Sequence, residues 1–189
     1  MTMPPGLRKL ALTVHVTVSV GWFGAVAGFL ALAVAGLNSQ DAHTVRGSYM
    51  AMDLITWFVI VPFCLASLLT GIVQSLGTPW GLFRHWWVVV KLLLTVLATI
   101  ILLLHTQPIS YLASVAAETT LASVDLRDLR IQLIADAGAA LVVLLVATVL
   151  AVYKPRGTTR YGRRRQRASF TAKPYAGAVT HCSMHRSAR

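Results

Sequence analysis

The stretch "RHWWVVVKLLLTVLATIILLLH", Arg84–His105, decides the fold class, because it is long enough to cross a bilayer and, beyond the Arg84 at its start, carries one cation inside the apolar run, Lys91. A charged side chain near the middle of a hydrocarbon layer costs at least ~2.5–3.5 kcal/mol, so its presence there needs a reason. Three further apolar runs accompany it: Leu10–Leu37, Leu54–Leu76 and Ile131–Tyr153. Each reaches the roughly 20 residues that span ~30 Å of hydrocarbon at 1.5 Å per residue. The charged fraction, 12%, is half the ~25% of a soluble domain, and the mean hydropathy is +0.68. The reading is all-α: an integral membrane four-helix bundle, antiparallel, in one domain over residues 1–153. Its helices are expected at about 8–37, 51–76, 85–107 and 124–153. The first run exceeds the 7–15 apolar residues of a signal-peptide core, so it reads as an uncleaved helix.

Charge sets the expected orientation. Arg8, Lys9, Arg84 and the ten Lys/Arg from Lys154 onward fall on one side, whereas the other side holds Arg46, Arg127 and Arg130. The positive-inside rule then places both termini in the cytoplasm of a bacterial cell, with the bundle in its plasma (inner) membrane. Residues 154–189 have ten basic residues, no acidic ones and no apolar periodicity, which reads as a disordered basic tail. Such a tail meets anionic lipid headgroups at about 1 kcal/mol per basic residue. No nucleic-acid recognition module surrounds it, so nucleic acid is not an expected partner. Cys64 is in helix two and Cys182 in the tail, too far apart for a disulfide.

The connections are short. "NSQDAHTVRGSYM" (Asn38–Met50) reads as a polar loop, and "GTPWGLFRH" (Gly77–His85) as a tight turn. Ser123 reads as the N-cap of helix four, with Asp125 in its first turn. "GAVAG" holds Gly24 and Gly28 at the spacing of close helix packing, a surface for a membrane-protein partner or a second copy. Pro62 loosens helix two, on which Asp53, Trp57, Cys64, Ser67 and Gly71 share one face, expected to point inward.

Polar residues inside the runs are the candidate functional groups. His15 and Lys91 lie at matching depth, roughly 9–10 Å into the bundle from one end, on different helices. Ser19 and Trp22 follow His15 at i+4 and i+7, giving a polar and aromatic strip. His105 lies fourteen residues beyond Lys91, roughly 21 Å higher, and belongs with Asp53 and Asp136 in a separate layer. That separation excludes His15 and His105 as the two axial ligands of one haem. Lys91 has three readings. It snorkels to the interface beside Trp86 and Trp87, it lines a cofactor pocket with His15, or it begins an ion or proton path toward the His105, Asp53 and Asp136 layer. No phosphate loop, HExxH, GxSxG or CxxC motif is present, which argues against hydrolytic or nucleotide-dependent chemistry.

The segments "LRKLALTVHVTVSVGWFGAVAGFLALAVAGL" and "GIVQSLGTPWGLFRHWWVVVKLLLTVLATIILLLH" resemble small four-helix integral membrane proteins of the actinobacterial type, a family without an assigned activity. More distantly, a helix-one His followed by "GWFGAVAG", with a Trp- and Lys-bearing third helix, is similar to the group of the membrane protoporphyrinogen oxidase and the copper-resistance D proteins. That resemblance implies a helix-one His and helix-three Lys associated with haem b, here His15 and Lys91, with Trp22 beside them. The oxidase carries Arg- and Tyr-rich residues after its helix-one motif, where this chain has "FLALAVAGLNSQ". The resemblance therefore implies a haem-sized pocket rather than porphyrinogen oxidation. The functional expectation is a non-catalytic accessory factor with a ligand pocket at His15/Lys91. The alternatives are a haem-b redox or haem-handling protein, and ion or copper transport through Asp53, His105 and Asp136.

Overall fold

The computed structural model describes residues 3–77, 85–118 and 126–153. Among them the chain is all-helical: α1 (Pro5–Asn38), α2 (Ala42–Gly77), α3 (Trp86–Glu118) and α4 (Arg127–Tyr153). All four are long and apolar enough to cross a membrane. The basic tail, most of the Gly77–His85 turn and the Ser123 cap lie outside the described residues.

The helices pack in the cyclic order α1, α2, α3, α4, with α4 returning to α1. One line of side chains per helix turns inward. On α1 it is Trp22, Val26, Phe29 and Ala33, at the alternating three- and four-residue spacing of one helical face. It meets Tyr49, Met52, Ile60 and Cys64 of α2, Ile109 and Leu112 of α3, and Leu133 and Ala137 of α4. Outward faces carry large apolar side chains, such as Phe58, Leu104 and Val152, that are mostly exposed. This inverts the usual soluble pattern and fits helices long and apolar enough to cross a membrane.

Two helix boundaries differ from the sequence expectation. Helix two starts at Ala42, nine residues early, because Asp41 caps it: the carboxylate accepts from Thr44 N at 2.9 Å, from Thr44 Oγ1 at 2.7 Å and from His43 N at 3.4 Å. The hydrogen bonds from Thr44 hold the Asp41 carboxyl below its usual range. Helix three does not stop at Gln107 but continues through Pro108 to Glu118. Proline removes one N–H from the ladder, and nearby hydroxyls redirect their bonds to backbone carbonyls, Thr106 Oγ1 donating to Leu103 O at 2.8 Å.

Pro62 leaves a different mark. The turn before it, Thr56–Ile60, is a π-helix, in which the N–H of Val61 reaches Thr56 O five residues back. The wider turn relieves the clash a proline ring makes with the carbonyl four residues earlier. It also inserts one residue into the inward line, which runs Val45, Tyr49, Met52, Thr56 and then Ile60, Cys64, Ser67. The expectation that Trp57 shares the face of Cys64 and Ser67 is therefore corrected: Trp57 is 48% exposed, while Cys64 is fully buried.

Candidate functional site

His15 lies against α2. Its Nδ1 is 2.9 Å from Thr70 Oγ1, and Ser19 Oγ is 2.8 Å from Ser67 Oγ one turn away. The Thr70 hydroxyl donates to Ala66 O at 2.6 Å, so its proton is committed and His15 Nδ1 must be the donor. Gly71 makes the approach possible: a β-carbon there would stand 3.2 Å from His15 Cε1. The strip read from sequence is thus split. His15 and Ser19 form a polar seam between α1 and α2, whereas Trp22 turns into the core.

Among the described residues no carboxylate pairs with Lys91. Its neighbours along α3 are satisfied separately, Thr95 Oγ1 donating to Lys91 O at 2.8 Å. A lysine held by no counter-charge contributes little that methionine could not. We expect Lys91→Met to express, insert and unfold at a thermal midpoint equal to or above wild type, because an apolar side chain removes the desolvation cost. A fall of more than ~4 °C, about 1–2 kcal/mol for a chain of this length, would instead give the ammonium a structural partner.

The layer assigned to Asp53, His105 and Asp136 is two separate clusters. Ser110 Oγ donates to Asp53 Oδ1 at 2.6 Å and accepts from Trp57 Nε1 at 3.2 Å, joining α2 to α3. His105 Nε2 lies 2.9 Å from Asp136 Oδ2, joining α3 to α4. Among the described residues no three His, Cys, Asp or Glu side chains gather at one point. On the other side of the ring, His105 Nδ1 lies 2.8 Å from Ile101 O, and because a carbonyl only accepts, Nδ1 is the donor there.

Beside this pair the bundle holds a cavity of about 190 Å³. Its walls are apolar except for His105, Asp136, Thr56 and Trp22, and Trp22 Nε1 is buried without a hydrogen-bond partner. The Thr56 hydroxyl is spent on Met52 O at 2.7 Å. Neither His15 nor Lys91 borders the cavity. Its volume lies below the ~300–1,000 Å³ of sites that enclose drug-sized molecules. It exceeds the ~150 Å³ engineered cavity that admits benzene. Cavity and pair are positioned by small residues: Ala137 and Ala140 on α4 and Ala98 on α3 leave the space that larger side chains would fill.

Sequence reasoning missed a third polar site, at the far end of α1. Arg130 Nε donates to Tyr49 Oη at 2.6 Å, another guanidinium nitrogen donates to Gly36 O, and the guanidinium carbon stands 5.3 Å from the Tyr49 ring centre. Helix α1 has no basic residue in its own last turn, where unpaired carbonyls carry partial negative charge. Arg130 supplies that cation from α4. The signal was present: Arg130, Leu133 and Ala137 share a helical face, which puts the arginine on the inward side.

Comparison with protein-family models, with curated proteins and with solved structures finds no match to this chain.

Proposed function

We propose that this chain is a multi-pass protein of the bacterial plasma membrane, with an antiparallel bundle and both termini cytoplasmic. In this reading it acts as a non-catalytic accessory factor that holds a small lipophilic ligand between its helices. The asymmetry of basic residues supports the orientation. The order of contacts between α1 and α2, His15 on Thr70, Ser19 on Ser67 and Gly36 beside Tyr49, supports the antiparallel arrangement. The basic tail suits the anionic inner leaflet.

The observation that carries ligand binding is the cavity itself. Close packing leaves few voids larger than a water molecule. A recess of about 190 Å³ between the helices, open on one side past Leu97 and Ile101, is a place for an apolar molecule of that size to lodge. Its apolar walls do not suit a cluster of waters. A single aromatic ring does.

Ethylbenzene tests this. It should raise the thermal midpoint of detergent-purified protein in proportion to the logarithm of its concentration, once corrected for uptake by empty micelles. In Ala140→Leu, the added methylenes fill part of the cavity, at ~0.8 kcal/mol each of favourable burial. That variant should start from an equal or higher midpoint and show no ethylbenzene shift. A wild-type midpoint unmoved by saturating ethylbenzene would overturn the reading.

A further inference from the structure

The recess has a shape that its volume does not convey. Its back is short, bordered by Trp22 to Phe29 on α1 and by Thr56 and Ile60 on α2. Its front is long. The bordering residues run from Leu94 to Ile109 on α3 and from Leu133 to Leu144 on α4, roughly 22 Å and 16 Å of helix. It is therefore a slot lying along α3 and α4 rather than a round chamber. The slot is open between those two helices, where Leu97 is 55% and Ile101 43% accessible and Ala139 is exposed beside them. Both helices are apolar enough to cross a membrane, so there the opening meets hydrocarbon. A molecule then reaches the slot by first dissolving in the bilayer.

The front of the slot is polar in one place, where His105 Nε2 meets Asp136 Oδ2 at 2.9 Å. That contact divides the front unequally. Roughly 4–6 Å of apolar wall separates the pair from Leu133 and Ile109, and roughly 12–16 Å separates it from Leu144 and Leu94. With α3 and α4 antiparallel, the two long portions lie side by side. The carboxyl stands at their head. Its Oδ2 is enclosed, yet the Asp136 side chain is 36% exposed, which leaves Oδ1 as the open oxygen. The His105 ring has no donor to spare for it, since Nδ1 serves Ile101 O and Nε2 faces Oδ2. Hydrocarbon supplies no water to a polar atom. An open acceptor at the head of an apolar slot is matched by a ligand with one donor and a chain.

We propose that the ligand is a single linear alkyl chain ending in a hydroxyl, a fatty-alcohol-type molecule, which enters from the bilayer between α3 and α4. Its hydroxyl donates to Asp136 Oδ1, and its chain lies along the long apolar portion toward Leu94 and Leu144. A hydroxyl suits the route better than an ammonium, because the head crosses hydrocarbon on the way and a charge there is far more costly than a neutral polar group. A ketone or an ester is not matched, since its oxygens only accept. An aromatic ring fills part of the slot, so ethylbenzene reports occupancy without matching the length. This rests on the recess being a ligand site, and it adds the ligand's shape, its donor and its route.

The test uses full-length protein in a bile-salt detergent, which has no linear chain to compete for the slot. Affinities are read from shifts of the thermal midpoint and referred to partition into empty micelles. The probes are 1-decanol, 2-decanone and 1-adamantanol, the last a compact cage with the same carbon count and a hydroxyl. 1-Decanol should bind about 10-fold tighter than 2-decanone, the worth of one hydrogen bond to a carboxyl in apolar surroundings. 1-Adamantanol should give no saturable shift. In the double variant His105→Leu with Asp136→Leu, 1-decanol and 2-decanone should bind equally. Equal affinities in the wild type would overturn the donor, and 1-adamantanol matching 1-decanol would overturn the linear slot. Either result leaves the ligand site itself intact where ethylbenzene still binds, and binding of no probe, ethylbenzene included, would remove the site. A preference for 1-decanol that survives in the double variant would overturn the assignment to Asp136. The wild-type comparisons stand even where that variant folds poorly. 1-Octadecanol, longer than the slot, should retain affinity because its surplus chain passes out between α3 and α4, and its exclusion would overturn lateral entry.

Discussion

Arg130→Met should lower the thermal midpoint of the purified protein by ~6–12 °C, corresponding to about 3 kcal/mol in a chain of this length. Arg130 joins three helices at once, through Tyr49 on α2 and Gly36 O on α1. Tyr49 is 2% exposed, so its hydroxyl, once deprived of the guanidinium, has no water to turn to. Gly36 O belongs to the last turn of α1, whose carbonyls lack partners of their own. Lysine should not rescue the loss. A single ammonium cannot serve Tyr49 and Gly36 in the forked geometry of a guanidinium or lie flat against the ring. Tyr49→Phe should cost less, about 1 kcal/mol, because the ring contact and the Gly36 bond persist. The two changes should be strongly non-additive, and additive losses would mean that Arg130 acts elsewhere. Gly36 belongs to the same unit: a β-carbon there would stand 3.1 Å from the Tyr49 ring, so Gly36→Ala requires the ring to give by a few tenths of an ångström.

How much of this was legible from the residues follows from which interactions are local. The four apolar runs declare themselves by length and hydropathy, and they are four helices in the structure. The inward positions of Trp22, Cys64 and Ser67 follow from helical spacing, since each lies on a regular stretch. Trp57 was misplaced because its orientation depends on a π-turn, which adds a residue without any change in composition. Asp41 was readable as an N-cap, yet the polar run after it, "AHTVRGSYM", looks like a loop by hydropathy alone. Tyr49 and Ser48 are buried in that run, and burial there depends on α1, α3 and α4 rather than on the run itself. The pairing of His105 with Asp136 was within reach as a shared layer. Separating that pair from Asp53 was not, because the choice depends on the rotation of α2 relative to α3, which Ser110 fixes. A cavity is the least legible feature of all. It is an absence left where Ala98, Ala137 and Ala140 meet, and alanine reads equally well as close packing.

The His105–Asp136 pair should show a reversal that distinguishes a matched pair from two independent polar residues. Asp136→Leu removes the carboxyl and leaves His105 Nε2 facing an apolar wall, while Nδ1 stays tied to Ile101 O at 2.8 Å. His105→Leu leaves the carboxyl without its 2.9 Å partner. Each single change should destabilise by about 1 kcal/mol, since both side chains keep part of their surface exposed. The double change, His105→Leu with Asp136→Leu, should recover most of that loss. It strands nothing and adds apolar contact between α3 and α4, and matched apolar replacement of an ion pair is often neutral or stabilising. Thermal midpoints of the four proteins in one detergent give the coupling directly. If the double variant is as unstable as the sum of the singles, the 2.9 Å contact contributes nothing as a pair, and each residue is held by other neighbours. If it recovers, the pair is dispensable for stability. The two side chains would then be free to be exchanged together without loss of fold, which makes the double variant the clean background in which to measure binding to the cavity they border.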